Sequence, residues 1–598
     1  MSAVVSSPPR PGTRLIGLAA YVGLAAVAVA LAVTVPTDAY VLNILMQAVT
    51  FSVAVFGLTV VLGLCGQINL AQAAFFGFGA YAVGLGTTDY GGNFWLFLAI
   101  GLVLATAMGG LLGASTLRLG GHYLAMVTIS FQQIVTLVMI NWIPVTKGPD
   151  GVRSIQRPAG LLEGHAYLGM CVAVLAIVGY LVWRLPGTRL GRAMRAVRDN
   201  ELAAGVAGID VYRVKVTAFA ISALLGGLGG GLFAGGFAYI SPDQFSFAES
   251  VIFLTMVLLG GVASPIGAVI GTSLLILIPE WLRFLKTIPG LYLAIYGAAV
   301  ILIVLFMPDG IWGFIQARLD RWRGRGARAV AALAGPLPLS GGMRDREAAA
   351  ALAPVLELSS LSKHFGGLKA VDEIDLTIKP GGLNALIGPN GSGKTTTLNV
   401  ISGLYRATSG TIRLNGQDIT GLPPHARTAA GLGRTFQNIR LWRSMTALEN
   451  VMIGAERPGN TLGSAPGALD ERARAALAFV GLEGRADEFV SSFSYGHQRA
   501  IEIARALAAD PILLLLDEPG AGLNSSEKLE LRDLLQRISA RGLTILLIDH
   551  DMTLVASIAQ HITVLNFGRR IADGYSQDVL KHPDVVAAYL GTAPDVPD

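Results

Sequence analysis

The stretch Gly388-Pro389-Asn390-Gly391-Ser392-Gly393-Lys394-Thr395 decides how the second half of this 598-residue chain folds. It follows a short apolar run ending at Ile387, and a glycine-rich loop between a strand and a helix is the phosphate-binding loop pattern. Its glycines let backbone N–H groups converge on phosphates at the start of a helix. We expect residues 388–396 to bind ATP, with Lys394 on the β and γ phosphates, Thr395 as a ligand of Mg²⁺, and Thr396 completing the loop.

Two carboxylates end a second strand-like run, Ile512 to Leu516. Because parallel strands deliver their carboxyl ends to one edge of a sheet, we expect Asp517 and Glu518 beside the phosphate-binding loop. Asp517 then suits Mg²⁺ binding, and Glu518 is placed to polarise the attacking water as a general base. Other apolar runs alternate with helix-length amphipathic stretches. This pattern predicts an α/β domain with a parallel sheet covered by helices on both faces.

The segment Phe493-Ser494-Tyr495-Gly496-His497-Gln498-Arg499 resembles the signature sequence of ABC ATPases. It departs from the common form at Phe493, Tyr495 and His497. The resemblance implies that Ser494 and the backbone of Gly496 contact the γ phosphate. It also implies a sandwich dimer, in which the signature of one ATPase closes on the phosphate-binding loop of the other.

Three more residues resemble functional positions of ABC ATPases. Gln437 resembles the glutamine that senses Mg²⁺, takes part in catalysis and touches the permease. His550 resembles the switch histidine that hydrogen-bonds the γ phosphate. Phe365 resembles the aromatic residue that stacks on adenine, and Phe436 and Trp442 are the alternatives for that role.

The first half of the chain has the composition of a membrane protein. Hydrophobic residues make up 53% of the chain, its mean hydropathy is +0.57, and long uncharged runs lie between Arg14 and Met307. The net charge of +5 gathers in short basic loops, which indicates membrane topology and argues against nucleic-acid binding. Cys65 and Cys171 lie in apolar segments and are expected to be core residues.

Several apolar stretches are long enough to cross about 30 Å of hydrocarbon, which predicts a polytopic all-α permease. Basic residues crowd the loop from Arg184 to Lys215 and follow the last stretch from Arg318, so both regions are expected in the cytoplasm. The longest stretch contains Gly260, Gly261 and Pro265, and we predict a break there that restores an even number of crossings. The predicted spans are Leu15–Val35, Val41–Leu64, Phe94–Thr116, Tyr123–Ile143, Tyr167–Trp183, Val216–Ile240, Val251–Ile278 and Leu291–Met307.

Polar and small residues interrupt the membrane half. Gln67, Asn69 and Gln72 need partners inside the protein, either through interhelical hydrogen bonds or through contact with solute. Gln132 presents the same two alternatives. The glycine-rich run Ala223–Gly236 indicates close helix packing.

Composition divides the chain into three parts. We assign residues 1–328 to a transmembrane permease domain and residues 355–598 to an ABC ATP-binding domain. Residues 329–354 are rich in Ala, Gly and Pro and show no sustained hydrophobic periodicity, which is typical of a linker.

Nearly all of the chain resembles importers of the branched-chain amino-acid class, with one permease fused to one ATPase. Tyr495, which departs from the general ABC signature, is usual in this class. The basic loop Gly191–Gly208 resembles the coupling helix that docks in a groove of an ATPase, where its arginines can meet acidic rims. The resemblance rests on Leu62–Leu70, Ala73–Gly77, Gly121–Ala125, Gly191–Glu201, Gly260–Gly261, Phe365–Leu368 and Ala588–Gly591.

The resemblance implies ATP-driven import of branched-chain or related amino acids across the bacterial inner membrane, with the ATPase domain in the cytoplasm. It implies a second permease subunit, a second ABC ATPase subunit and a soluble solute-binding protein, in a hetero-oligomer rather than a homodimer. The alternatives are an importer of urea, short amides or aromatic acids, and an ABC exporter half-transporter. Short spans and compact loops disfavour the exporter.

Overall fold

The structure is a computed structural model that describes residues 38–116, 122–281, 309–322, 353–456 and 467–590, with residues 23, 25–34, 297–298, 301–302 and 305–307. The described residues form two compact units. The first holds the residues up to Asp199 and those from Val211 to Trp322. The second holds Asn200–Asp210 and the residues from 353 onward. A short segment of the basic loop therefore folds with the second unit.

The first unit is built from apolar helices. Its α-helices are α1 (Ala25–Thr34), α2 (Ala39–Leu58), α3 (Gln72–Thr88), α4 (Phe94–Thr116), α5 (His122–Asn141), α6 (Ile143–Thr146), α7 (Gly164–Arg184), α8 (Arg189–Asp199), α10 (Val211–Phe237), α11 (Phe247–Gly260), α12 (Pro265–Trp281) and α13 (Gly310–Trp322), and the intervening helix α9 (Glu201–Val206) belongs to the second unit. Two short strands, β1 (Val152–Arg153) and β2 (Tyr239–Ile240), pair antiparallel.

Among the described helices, five are long and apolar enough to cross a membrane, so the chain is a multi-pass membrane protein. Cys65 and Cys171 are buried, as expected. Much of the predicted spans Leu291–Met307 and Leu15–Val35 and nearly all of the linker 329–354 lie outside the described residues. The five spans are Ala39–Leu64, Phe94–Ser115, Tyr123–Asn141, Gly164–Gly187 and Val211–Phe237.

The apolar stretch that was predicted to break does so after Gly260. There α11 ends, Gly261 adopts a φ of 122°, and α12 begins at Pro265. The two helices pack with almost no space between backbones, since a Cβ on Gly260 would lie 1.9 Å from the carbonyl oxygen of Gly267. One apolar stretch therefore supplies two helices, and the predicted break is confirmed.

The end of α2 is also irregular. Residues Thr59–Leu64 continue α2 as a π-helical segment, and the chain is non-helical from there to Ala71, before α3 begins. Gly66 ends the helical segment with a φ of 70°, and its N–H donates to the carbonyl oxygen of Leu62 at 3.0 Å. This is the usual way for a glycine to terminate a helix.

Buried amides hold the non-helical segment in place. The Gln72 Nε2 donates to the carbonyl oxygens of Ala54 at 2.7 Å and Ser222 at 3.2 Å, while its Oε1 accepts from Asn69 at 3.1 Å. Asn69 and Gln72 are completely buried, and Gln67 is 9% exposed, with its Nε2 3.2 Å from the carbonyl oxygen of Cys65. These amides make hydrogen bonds within the protein, as the first of the two predicted alternatives requires.

The first N–H groups of α3 are capped by side chains from other helices. Ser250 accepts from the N–H of Ala73 at 2.9 Å, and Gln132 accepts from the N–H of Ala74 at 2.8 Å. The Nε2 of Gln132 donates to the carbonyl oxygen of Phe245 at 2.7 Å. A buried helix start thus finds partners in the surrounding helices.

The glycine-rich run on α10 packs closely, as predicted. A Cβ on Gly230 would lie 1.8 Å from the carbonyl oxygen of Phe76, and a Cβ on Gly79 would lie 1.8 Å from that of Gly227. Two helix backbones therefore approach each other where neither carries a side chain.

The second unit combines strands and helices in an α/β fold. Its strands are β3 (Leu356–Phe365), β4 (Leu368–Ile378), β5 (Leu383–Ile387), β6 (Ser409–Leu414), β7 (Gln417–Asp418), β8 (Leu432–Arg434), β9 (Leu513–Asp517), β10 (Thr544–Ile548), β11 (His561–Asn566) and β12 (Arg569–Tyr575). Besides α9, its α-helices are α14 (Lys394–Ile401), α15 (Pro424–Ala429), α16 (Ala447–Ala455), α17 (Ala468–Phe479), α18 (Tyr495–Ala508), α19 (Ser525–Ala540), α20 (Met552–Ile558), α21 (Ser576–Val579) and α22 (Pro583–Leu590).

The strands form two sheets. The larger sheet has the order β12-β11-β5-β10-β9-β8, and all its pairs are parallel except the edge pair β11-β12. Helices cover one face, where Leu535 of α19 packs in the core with Leu514. On the other face Leu513 shares a core with Leu398 of α14 and with Leu376 of the antiparallel sheet β4-β3-β6-β7. The parallel sheet is confirmed, but an antiparallel sheet takes much of the face that was predicted to carry helices alone.

Candidate functional site

The phosphate-binding loop connects β5 to α14, as predicted. Gly388 and Gly393 adopt φ angles of 150° and 99°, and a Cβ on Gly388 would lie 2.1 Å from the carbonyl oxygen of Leu565. A larger residue does not fit there. The ammonium of Lys394 donates to the carbonyl oxygens of Gly388 at 2.8 Å and Pro389 at 2.9 Å. The lysine therefore lies folded against its own loop.

The other residues of this loop differ in exposure. Asn390, Gly391 and Thr395 are exposed, Thr396 is half-buried and Ser392 is buried. An exposed hydroxyl at the first turn of α14 is accessible to a ligand held by the loop. Burial lowers the pKa of Lys394, while the carboxylates of Glu518 and Asp517 act in the opposite direction. Both predicted carboxylates are therefore close enough to influence the lysine.

The predicted residues Gln437, Glu518 and His550 each follow one of three neighbouring strands of the same sheet. In the register, Ile548 of β10 pairs with Asp517 of β9, and Arg434 of β8 pairs with Leu515. Since β5, β8, β9 and β10 run parallel, their carboxyl ends meet at one edge. The sheet topology thus brings together segments that lie far apart in the sequence.

Three side chains that were predicted to be catalytic meet at one oxygen. Gln437 Nε2 donates to Glu518 Oε2 at 2.9 Å, and His550 Nδ1 lies 3.5 Å from the same oxygen. Glu518 has a φ of 43°, a left-handed conformation that residues with a side chain rarely adopt. Its N–H donates to the carbonyl oxygen of Ile548 at 2.8 Å. The turn after β9 therefore presents this carboxylate between two polar side chains.

Asp517 occupies a more enclosed position. It is 2% exposed, and its Oδ2 accepts from Arg434 Nη2 at 3.4 Å. Burial raises the pKa of Asp517, and the Arg434 guanidinium opposes this shift. The Oδ1 atom is buried and has no hydrogen-bond partner among the described residues. A buried carboxylate oxygen without a hydrogen-bond partner is the kind of ligand that suits Mg²⁺.

Sequence reasoning assigned no role to Arg434. This residue is 5% exposed, and its guanidinium also donates to Asn399 Oδ1 at 2.7 Å on α14. It thus joins the helix of the phosphate-binding loop to Asp517. A basic residue at the end of a buried strand was the only available signal, and its partners are distant in the sequence.

The three candidate aromatic residues differ in accessibility. Phe365 is 43% exposed at the end of β3, and its ring contacts that of Tyr405 edge-on at 5.3 Å. Phe436 is 7% exposed and Trp442 is completely buried. A base can stack only on an accessible ring, so Phe365 is the candidate that remains.

The signature segment surrounds the start of α18. Ser494 is the N-cap of this helix, and its exposed Oγ lies 3.0 Å from His497 Nδ1. Gly496 is half-buried, and a Cβ there would lie 2.7 Å from Glu527 Oε1. A serine hydroxyl and the N–H groups of a helix start together favour an anion.

Arg499, the last residue of the signature, joins this helix to the loop of Gln437. Its guanidinium donates to the carbonyl oxygens of Phe436 at 2.6 Å and Gln437 at 2.7 Å. It also forms an ion pair of 2.8 Å with Glu502, and both side chains are buried. Hydrogen bonds from Arg499 therefore join the signature helix directly to the Gln437 loop. The sequence did not predict this connection.

A groove of the ATPase fold holds α9. Thr428 Oγ1 of α15 donates to the carbonyl oxygen of Val206 at 2.8 Å. His425 Nε2 lies 3.8 Å from Asp210 Oδ2, and Arg440 Nη1 donates to Asn200 Oδ1 at 3.4 Å. Docking of the basic loop was expected, and its residues 200–210 fold with the ATPase. In these three contacts the ATPase supplies the hydroxyl and the basic side chains, and the segment supplies the oxygen atoms.

Comparisons with known proteins match both halves to one class of transporter. Residues 40–305 match the family described as the permease component of branched-chain amino acid transport systems, and residues 371–521 match the ABC transporter family. The ATPase half is 43% identical over 253 residues to the high-affinity branched-chain amino acid transport ATP-binding protein BraF of Pseudomonas aeruginosa, covering 40% of this chain and 99% of that protein. LivG of Escherichia coli K12, with the same description, is 41% identical with the same coverage.

Two further matches involve the same half. The sulfate/thiosulfate import ATP-binding protein CysA 2 of Shewanella oneidensis is 39% identical over 240 residues, covering 40% of this chain and 67% of that protein. The crystal structure of the ADP conformation of an ATP-binding cassette from an ABC transporter is 31% identical, with a TM-score of 0.37, and covers 40% of this chain and all of that one. The chain belongs to the ABC transporters of the branched-chain amino acid class, and it joins a permease and an ATP-hydrolysing cassette in one polypeptide.

Proposed function

We propose that this chain imports branched-chain or related amino acids across the bacterial inner membrane, driven by ATP hydrolysis in its cytoplasmic cassette. The observation that carries the proposal is the agreement of the two halves. The permease half matches the permease component of branched-chain amino acid transport, and the ATPase half is 43% identical to an ATP-binding protein of that transport. Both halves would match one class by chance only rarely.

In this proposal the loop 388–396 holds the phosphates of ATP, and Lys394 leaves its contacts with Gly388 to reach the β and γ phosphates. Phe365 stacks on the adenine. Glu518 accepts a proton from the attacking water as general base, and Gln437 and His550 orient the carboxylate through its Oε2. The roles of Lys394, Glu518, Gln437 and His550 are supported by the convergence of the segments that carry them at one edge of the parallel sheet. The role of Phe365 is supported by the exposure of its ring.

Mg²⁺ would be held by Thr395, Asp517 and Gln437. When bound, it neutralises charge that develops on the phosphates during transfer. Asp517 is suited to this role because its Oδ1 is buried and has no partner among the described residues.

Ser494 and Gly496 are proposed to act on ATP bound to a second cassette, so one chain supplies half of each of two sites. A second permease subunit and a second ABC ATPase subunit would complete the transporter, as a hetero-oligomer rather than a homodimer. A soluble solute-binding protein would deliver the cargo. The lipid bilayer surrounds the permease, and nucleic acid plays no part.

The ATPase half alone does not decide the cargo. A protein whose name specifies sulfate or thiosulfate is 39% identical to it, close to the value for the branched-chain amino acid proteins. The permease match carries the choice of amino acids. Urea, short amides and aromatic acids are the alternative cargoes, and export is the alternative direction.

The test is to reconstitute the chain in proteoliposomes with the permease and ATPase encoded by neighbouring genes. ATPase activity and uptake are measured as candidate solute-binding proteins are added with and without leucine, urea or an aromatic acid. We expect stimulation and inward transport with a branched-chain amino acid. Stimulation by another solute alone would reject the cargo, and unresponsive hydrolysis with outward transport would reject import.

A further inference from the structure

The guanidinium of Arg198 lies at the end of a membrane helix. Its Nη1 donates to the carbonyl oxygen of Gly63 at 2.7 Å, in the last turn of the π-helical continuation of α2. Its Nε donates to Asp199 at 3.1 Å. The last carbonyl groups of a helix lack intrahelical donors and carry partial negative charge. A half-buried arginine is therefore a suitable partner for this helix end.

The backbone around Arg198 is shaped for close contact. A Cβ on Gly66, where φ is 70°, would lie 2.6 Å from Cγ of Arg198. A Cβ on Gly63 would lie 2.1 Å from the carbonyl oxygen of Val262, in the turn between α11 and α12. Three elements thus meet here. The end of α2 contacts the backbone of the α11–α12 turn at Val262, and it contacts the end of α8 through the side chain of Arg198. Closely packed contacts of this kind transmit a displacement, and Arg198 is the side chain that joins α8 to the other two elements.

Arg198 is also close in the chain to the segment that contacts the ATPase fold. Only Asp199 separates it from Asn200, which begins the segment that docks in the groove and accepts a hydrogen bond from Arg440. Through Thr428 and Val206, the same segment is hydrogen-bonded to α15. A displacement of residues 200–210 therefore reaches the Arg198 backbone directly through the chain.

We propose that Arg198 is the positioning residue that transmits movement of the docked segment to the end of α2 and to the α11–α12 turn. ATP-driven movement at the ATPase would then change the permease through the hydrogen bond between Arg198 and Gly63. This inference rests on the proposed transport function and adds the residue that couples hydrolysis to transport.

The experiment uses the full transporter in proteoliposomes and compares Arg198→Ala with Arg192→Ala. Arg192 is a matched control, because it lies on the same helix and donates instead to the carbonyl oxygen of Gly187 at 2.8 Å. We expect Arg198→Ala to keep ATP binding but to lower the number of solute molecules transported per ATP by about tenfold or more, the scale of a typical coupling between sites. The control should keep the wild-type ratio. An unchanged ratio in Arg198→Ala would overturn the proposal.

Two other variants separate a role in coupling from a role in folding. Arg198→Lys keeps a cationic donor, so it should transport more solute molecules per ATP than Arg198→Ala does. Gly66→Ala leaves Arg198 in place but introduces a Cβ where only 2.6 Å is available, so it should lower the ratio as well. If Gly66→Ala and Arg198→Lys both transport like wild type while Arg198→Ala fails to assemble, Arg198 has a structural role only.

A second readout does not require a known cargo. Cys65 is buried beside this junction, and in a Cys171→Ser background it is the only remaining cysteine. We expect ATP to change the rate at which a maleimide labels Cys65 in this background, and we expect Arg198→Ala to abolish that change. If ATP changes the labelling rate of Cys65 equally in both proteins, or in neither, the result contradicts transmission through Arg198. A normal Cys65 response without any solute-stimulated hydrolysis contradicts the proposed cargo instead.

Discussion

The amide of Gln437 donates to Oε2 of Glu518 at 2.9 Å, although 81 positions separate them in the chain. The same oxygen lies 3.5 Å from His550. As the proposed general base, Glu518 is held between two polar side chains and is oriented before the water arrives, which favours proton transfer. The strained φ of Glu518 indicates that the surrounding fold holds this orientation.

Replacing Glu518 with Gln should preserve ATP binding and lower hydrolysis by about 100-fold or more, because a general base typically contributes that much. Nucleotide binding and phosphate release from the purified transporter measure the two effects. Lys394→Ala is the contrasting variant and should weaken nucleotide binding itself. Hydrolysis at the wild-type rate in Glu518→Gln would contradict the assignment.

Arg499→Ala should destabilise the cassette by about 3 kcal/mol, the lower end of the cost of breaking a buried ion pair, because the buried carboxylate of Glu502 loses its 2.8 Å partner and keeps Arg505 at 3.4 Å as an ion-pair partner. Two carbonyl oxygens of the Gln437 loop would also lose their donor. Chemical unfolding of the detergent-solubilised chain measures the change. Arg532→Ala is the control, since Arg532 lies on the surface of α19 and pairs with the exposed Asp533. Equal stability of the two variants would contradict the prediction.

Gly230→Ala should destabilise the permease by about 1 to 3 kcal/mol, the usual cost of overpacking. Its Cβ would lie 1.8 Å from the backbone carbonyl oxygen of Phe76, which cannot move without shifting α3. Gly110→Ala on α4 is the control, because no atom lies within 4 Å of its added Cβ. Thermal unfolding in detergent should separate the two variants. A Gly230→Ala protein as stable as Gly110→Ala would mean that the helices are not packed at this distance.

Gln132→Leu and Gln133→Leu form a matched pair of neighbours. Gln132 is completely buried and bonds both Ala74 and Phe245, so its loss should cost about 1 to 2 kcal/mol for each orphaned group. Gln133 is exposed in this chain, and its replacement should leave stability unchanged. Thermal unfolding tests both expectations. A loss of uptake in a stable Gln133→Leu protein would identify a residue that faces solute or the second permease.

Lys528→Met should reduce stability at neutral pH only slightly, since the pair is partly exposed. Lys528 donates to Asp551 at 2.8 Å, and this hydrogen bond lowers the pKa of Asp551. A lowered carboxyl pKa stabilises the folded state above the unfolded pKa of about 3.9 and ceases to do so as pH falls through the folded value. The difference between wild type and variant should therefore shrink below about pH 4. A stability difference between wild type and variant that increases as the pH falls would contradict this prediction.

The local features of the site were predictable because each depends on a short stretch of chain. The phosphate-binding loop needs glycines at fixed spacing, and Gly388 and Gly393 have the positive φ that this spacing indicates. Glu518 follows a run of five buried strand residues that a continuous apolar pattern reveals. The sequence alone could not decide between Phe365, Phe436 and Trp442 as the ring that stacks on adenine. That choice depends on which ring is exposed in the folded protein.

The sequence by itself determined the five apolar spans that the structure describes, the break between Gly260 and Pro265, the glycine-rich loop between a strand and a helix, and the side chains proposed for the ATPase chemistry. These follow from hydrophobic period, backbone conformation and side-chain type, which are local properties. Only the tertiary structure decided that Arg499 holds the Gln437 loop, that Arg434 meets Asp517, and that Arg198 meets Gly63. Each of these pairs joins segments far apart in the chain. Which distant carbonyl or carboxylate a buried arginine meets depends on how helices and strands pack in three dimensions, and no local pattern encodes that choice.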